Sequence, residues 1–193
     1  MTLCRAAGGG LAAVVRLLPA LCVACLGAFS SMAAAATDEA ASLLERRVKA
    51  ALLYRFINYV EWSEAALAGP GTPFTIAIAG ADGLAGELAE FAAGRTVLNR
   101  PLNVRTLRGP EAAKDAHIVF VGREAAAQFG AIMRSLPQSA LVVTEWDNAL
   151  RQGSVINFRT VDGQVRFEVS LEAAQRRHLR LSARLLSVAF DVR

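Results

Sequence analysis

The sequence predicts an α/β fold: three layers, a mostly parallel sheet flanked by helices, with a C-terminal antiparallel β-hairpin followed by helices. Three observations carry this. The runs 74–79 (FTIAIA), 116–122 (AHIVFVG) and 140–144 (ALVVT) are short and apolar almost throughout, the pattern of strands buried on both faces. Segments of helical period separate them, and alternation of strand and helix favours a parallel sheet covered on both sides. Last, residues 153–169 alternate about Asp162-Gly163, a turn pair that accepts positive φ at both central positions.

Taken in order, residues 1–36 read as an export signal. Arg5 and Arg16 supply positive charge, residues 17–29 are apolar, and Ala34-Ala35-Ala36 is a small-residue cleavage site. The apolar run is shorter than the ~20 residues of a spanning helix. Lipid attachment at Cys25 is disfavoured, because Cys22 stands where a lipobox has Leu. Residues 37–193 then form a single domain, long enough to bury a core. A helix is predicted over 40–68, with Leu44, Val48, Leu52 and Phe56 as a stripe widened by Ala51 and Tyr59. Gly69-Pro70-Gly71-Thr72-Pro73 breaks it. After the strand 74–79, the glycine-rich turn at 80–86 opens a helix to residue 93. Its spacing matches neither a dinucleotide fingerprint nor a phosphate loop, and Asp82 is a turn or cap residue. Residues 100–108 form a more exposed strand. A helix over 123–136 sets Ala127, Phe129 and Ile132 inward, and 148–152 is a short turn or helix.

The hairpin register follows from its turn. Val161 faces Gln164, Thr160 faces Val165, Phe158 faces Phe167 and Ile156 faces Val169. A slip of one residue would send the apolar face to water. The other face opposes Asn157 to Glu168 and Arg159 to Arg166; opposed arginines are unfavourable alone, and Glu168 can compensate them. Beyond the hairpin, residues 171–177 make two helical turns. His178 stops them in a left-handed conformation, and Ser182 caps a last helix.

Composition excludes several functions. The 21 basic and 17 acidic residues become nearly balanced once Arg5 and Arg16 are lost, and no basic stripe with interleaved aromatics suggests nucleic acid. All three cysteines, Cys4, Cys22 and Cys25, lie in the signal, so the exported chain has no disulfide, thiol nucleophile or thiolate metal site. There is no Gly-x-Ser-x-Gly elbow and no His-Glu-x-x-His. His117, beside Asp115, is read as a hydrogen-bonded strand-end residue. Glu145 and Asp147 follow a strand where α/β ligand sites often sit, a weak signal on its own. No catalytic residue, metal or cofactor is assigned.

Two segments resemble the YfiR family of small bacterial periplasmic proteins. One is Ile156-Asn157-Phe158, Asp162-Gly163, Val165-Arg166-Phe167-Glu168 and Leu179-Arg180-Leu181-Ser182-Ala183-Arg184-Leu185-Leu186. The other runs from Lys49 to Trp62; family members carry proline after that tryptophan, and this chain has Ser63. The resemblance implies a periplasmic regulator that binds the periplasmic domain of an inner-membrane diguanylate cyclase and holds it inactive. An outer-membrane-associated antagonist can relieve the inhibition, and the output is cyclic-di-GMP and biofilm formation. The expected partner-binding residues are Asn157, Phe158, Arg159, Arg166 and Glu168. The alternative for that face is a solvated surface or a buried polar network. Tyr54, Tyr59 and Trp62 are read as core or interface aromatics, or as pocket walls. A homodimer through the exposed hairpin edge fits the pattern. The competing function is a periplasmic small-solute-binding protein serving a transporter or sensor kinase.

Overall fold

The computed structural model describes residues 39–63, 66–67, 71–109 and 113–193. The predicted signal, with Cys25, lies outside them. The chain divides into two compact units, Met1–Leu43 and Leu44–Arg193. Of the first, residues 39–43 are described, and they are helical. All the described strands belong to the second.

Eight strands form one sheet in the order β10 (Asp191–Val192), β8 (Gln164–Val169), β7 (Ile156–Val161), β6 (Leu141–Thr144), β5 (Ile118–Val121), β2 (Phe74–Ala79), β4 (Arg100–Thr106) and β3 (Thr96–Val97). Its centre is parallel: β2 lies between β4 and β5, and β6 and β7 follow. At one end β3 turns back antiparallel on β4. At the other, β8 pairs antiparallel with β7 in the register the turn predicts, residue for residue. Asp162 and Gly163 have φ of 50° and 71°, as such a turn requires.

Two apolar layers follow from strand parity. Ile76, Ile78, Ile118, Phe120, Leu141 and Val143 point to one face, packed with Leu53, Phe56 and Leu88. Ala77, Ala79, Val119, Val121 and Val142 point to the other, under Ala125, Phe129 and Ile132. The helices on the first face are α1, residues 39–56, and α2, Asp82–Ala92. The second face is covered by a tight 3-10 segment, Arg123–Gln128, that passes into α3, Phe129–Ser135.

Several expectations are corrected. The first helix ends at residue 56, not 68. Ile57, Asn58 and Tyr59 close 3-10-type bonds of 3.1–3.3 Å, and the Trp62 indole N–H donates to the Ile57 carbonyl at 2.9 Å. The chain then pairs as β1 (Val60–Glu61) with β9 (Arg180–Leu181); β-branched and aromatic residues favour this extended form. The buried stripe of α1 is also rotated. Ala50, Leu53 and Phe56 are buried, while Leu44 is 64% exposed. The rotation turns Lys49 inward, where an acid awaits it. On the opposite face Ala125 is buried and Ala127 is exposed, because the tighter winding brings Ala125 against Gly80.

The C-terminal segment follows the predicted pattern closely. Ser170 caps α4 (Leu171–Arg176) by accepting from Ala173 N–H, and His178 ends that helix at φ 55°. Ser182 caps α5 (Ala183–Ser187) by accepting from Leu185 N–H. The last strand had no sequence signal: β10 (Asp191–Val192) adds parallel to β8 at Glu168–Val169. The hairpin is therefore not the sheet's bare edge along its whole length.

Candidate partner-binding site

The hairpin's polar face has a buried half and an exposed half. Asn157 is fully buried and Glu168 is 5% exposed. The amide of Asn157 donates to Glu168 Oε1 at 2.8 Å. Its oxygen accepts from the Thr144 hydroxyl at 2.8 Å and from Trp146 N–H at 3.2 Å. Ser154, also buried, bonds the Thr144 hydroxyl and the Ile156 carbonyl, each at 2.8 Å. Both polar atoms of the Asn157 side chain thus have partners, which offsets the cost of burying them. Glu168 is completed from outside by Arg193, at 3.4 Å, and by Arg159, at 3.8 Å. Of the two opposed arginines that Glu168 is predicted to offset, it reaches Arg159 and not Arg166.

Phe158, on the other face, stacks with Phe56 at 5.9 Å and is 2% exposed. Asn157 and Phe158 therefore act as frame; neither is presented at the surface. Arg159 and Arg166 are exposed. Arg159 reaches Asp147 at 3.2 Å. The Arg166 guanidinium donates to Gln164 Oε1 at 2.6 Å, a neutral amide, and has no carboxylate partner among the described residues. An exposed guanidinium over a rigid, satisfied layer is suited to clamp a carboxylate from another molecule.

Beside this face, at the carboxyl ends of β5 and β6, lies a cleft of about 180 Å³ lined by Lys49, Arg123, Glu145, Asp147 and Arg159, among others. Its charges are mutually engaged. Lys49 bonds Glu145 at 2.6 Å and also Glu45. Burial alone would lower the Lys49 pKa, but hydrogen bonds and attraction from both acids outweigh it and leave the pKa raised. Glu145 also accepts from Arg123 N–H at 3.1 Å. It ties α1 to the strand ends, a connection the sequence could not reveal because the residues lie 96 apart.

The crevice between β2 and β5, where strand order reverses and α/β proteins commonly hold nucleotides, is closed by backbone. A Cβ on Gly122 would collide with the Gly80 carbonyl oxygen, and one on Gly80 would stand 2.5 Å from Ala125 N. The glycines permit this close approach rather than cradling a phosphate. Asp82 begins α2, after Ala81 at the cap position.

His117 sits at the opposite strand ends. Its Nδ1 accepts from Thr75 N–H at 3.1 Å, and its ring stacks on Phe74 at 4.4 Å. Burial holds its pKa below the usual histidine value. A neutral ring accepting at Nδ1 is the strand-end role predicted. Tyr54, Tyr59 and Trp62 are half-buried against the core and go to separate neighbours. Tyr54 meets Phe91 edge-on at 5.0 Å, Tyr59 lies under Arg184 at 6.0 Å, and Trp62 meets Phe74 at 5.1 Å. Among the described residues no group of three His, Cys, Asp or Glu side chains is placed to hold a metal. None of their helices is long and apolar enough to cross a membrane.

Comparison with known proteins agrees with this architecture. A crystal structure of a conserved domain protein from Vibrio cholerae O1 biovar El Tor strain N16961 superposes with a TM-score of 0.54 at 11% identity. The alignment covers 77% of this chain and 60% of the Vibrio chain, so the likeness is one of fold. No curated protein matches. A family model described as YfiR/HmsC-like matches residues 46–190, a span that holds α1 from its second turn, the whole sheet up to β10, and the buried Asn157–Glu168 pair. The chain belongs to the YfiR/HmsC-like family.

Proposed function

We propose that this protein represses an inner-membrane diguanylate cyclase by binding its periplasmic domain, lowering cyclic-di-GMP and biofilm formation. An outer-membrane-associated antagonist releases it. Residues 1–36 direct export, and residues 37–193 work in the periplasm. The observation that carries this reading is the family match over residues 46–190. The hairpin supports it: exposed Arg159 and Arg166 stand on a buried polar layer that holds their positions. Asn157, Glu168 and Phe158 hold that surface in shape, and contact goes through the arginines. Binding one conformation of a receptor preferentially is enough to inhibit it, and about 3 kcal/mol of preference shifts a population roughly a hundredfold.

The solute-binding alternative has less support, because backbone fills the crevice at which such ligands usually sit. A homodimer through the hairpin is compatible with the repressor reading. The test is binding of the purified protein to the periplasmic domains of the inner-membrane diguanylate cyclases of the same cell. Arg159→Glu and the milder Arg159→Gln should fold normally and bind at least tenfold more weakly. Unchanged binding by both folded variants removes the hairpin from the interface, and absence of any binding by the parent protein removes the repressor reading.

A further inference from the structure

Of the six large apolar residues exposed among the described residues, three fall within one short stretch: Val188, 61% exposed, Phe190, 59% exposed, and Val192. Scattered apolar residues on a surface are ordinary; a concentration marks a contact. Val188 and Phe190 line a groove of about 430 Å³ with Val161, Gln164 and Arg166, beside the outer edge of β8.

That edge is half occupied. β10 pairs with β8 at Glu168 and Val169, and Phe190 N–H donates to the Phe167 carbonyl. Arg193 N–H donates to the Val169 carbonyl. The outward-facing backbone groups of β8 therefore belong to Phe167 and Val169. By the two-residue period of a strand they belong to Val165 as well, and no strand pairs outside Val165 among the described residues.

We propose that the open half of β8 takes an extended, alternating acidic–apolar segment of a partner protein as an added strand. The register dictates the sequence pattern. A residue opposite Val165 shares its face, the one on which Val165 and Phe167 pack with the apolar core, so it is apolar. Its neighbours point to the other face, where Arg166 offers donors that no carboxylate of the described residues takes, so they are acidic. Main-chain bonds at Val165 supply attachment, and the alternate side chains supply selectivity. The proposal rests on the repressor reading in one respect, that the occupant is a protein.

The test needs no cyclase, so the two readings fail separately. The purified protein is titrated with a blocked synthetic peptide, Glu-Val-Glu-Val-Glu-Val-Glu, and with its Lys-for-Glu counterpart, while backbone amide exchange is followed. The acidic peptide should bind at least tenfold more tightly and slow exchange at Val165. Val165→Pro removes an outward N–H while leaving the β7 ladder its bonds, and it should abolish that binding. Arg166→Glu should reverse the preference between the peptides, and Phe190→Glu should weaken both. Equal affinity for the two peptides, absence of binding, or unaltered exchange at Val165 overturns the proposal. A concentration-dependent dimer, seen by light scattering and lost in Val165→Pro, overturns it in favour of a second copy as the occupant. If Val165→Pro does not fold, the exposed variants at Arg166 and Phe190 decide the matter.

Discussion

The parallel centre of the sheet and its antiparallel corner solve opposite problems. In the centre, β2, β5 and β6 are buried at every position, and the one gap the topology would leave is closed by Gly80 against Gly122. In the corner, β7 and β8 bury an asparagine and a glutamate, expose two arginines, and leave part of an edge unpaired. A region filled to its limit can carry a surface but has little room for a ligand. A region with a satisfied polar interior holds its outer side chains in place while keeping them accessible.

Four measurements test this contrast. The largest effect is expected from Gly122→Ala, since its Cβ meets a backbone oxygen that cannot turn away; a loss of about 3 kcal/mol in urea unfolding is expected. A loss of under about 1 kcal/mol would mean the centre can yield. Next is Asn157→Ala, which strands Trp146 N–H and removes one partner each from the Thr144 hydroxyl and Glu168 Oε1. It should cost about 2 kcal/mol, and a neutral outcome would show the corner's network to be ornamental to stability. Lys49→Met leaves Glu145 with a backbone partner but no cation. The expected loss is about 1.5 kcal/mol, relieved in part when Glu145→Gln is added, as a double-mutant cycle would show.

The smallest effect concerns His117. Its folded pKa lies below the unfolded value because burial disfavours the charged ring, so the unfolded chain binds the proton first. Stability should therefore fall as pH drops below about 6.5, the unfolded value, and level off below the folded one. His117→Asn keeps an acceptor near Thr75 N–H and should flatten melting temperatures compared between about pH 7.5 and about pH 5.5. An equal slope in the variant would place the pH sensitivity elsewhere.

Much of the fold was legible in the sequence because its signals are local. The Asp162-Gly163 turn and the alternation beside it determine the pairing without reference to the rest of the chain, and β2 is bounded by glycine and proline. What escaped depends on distant partners. The inward turn of Lys49 is set by Glu145, and the end of α1 by the pairing of Val60 with Leu181. Asp191 and Val192 carry no strand pattern of their own; they become β10 because β8 presents an edge. At the candidate site, alternation identified the polar face and left its two interpretations open. Burial of Asn157 and Glu168 depends on Thr144 and Ser154, which sit in different segments, so periodicity within the hairpin could not distinguish the buried pair from the exposed arginines.

The chain's two tryptophans fall one to each region. Trp62 lies edge-on to Phe74 beside the parallel strands, and Trp146 lies edge-on to Phe129 with its backbone N–H bonded to Asn157. The molecule thus carries separate optical reporters for its rigid middle and its contact corner. With Trp62→Phe or Trp146→Phe, emission from a single indole follows one region at a time, and docking on the hairpin should register in the second fluorophore while the first stays silent.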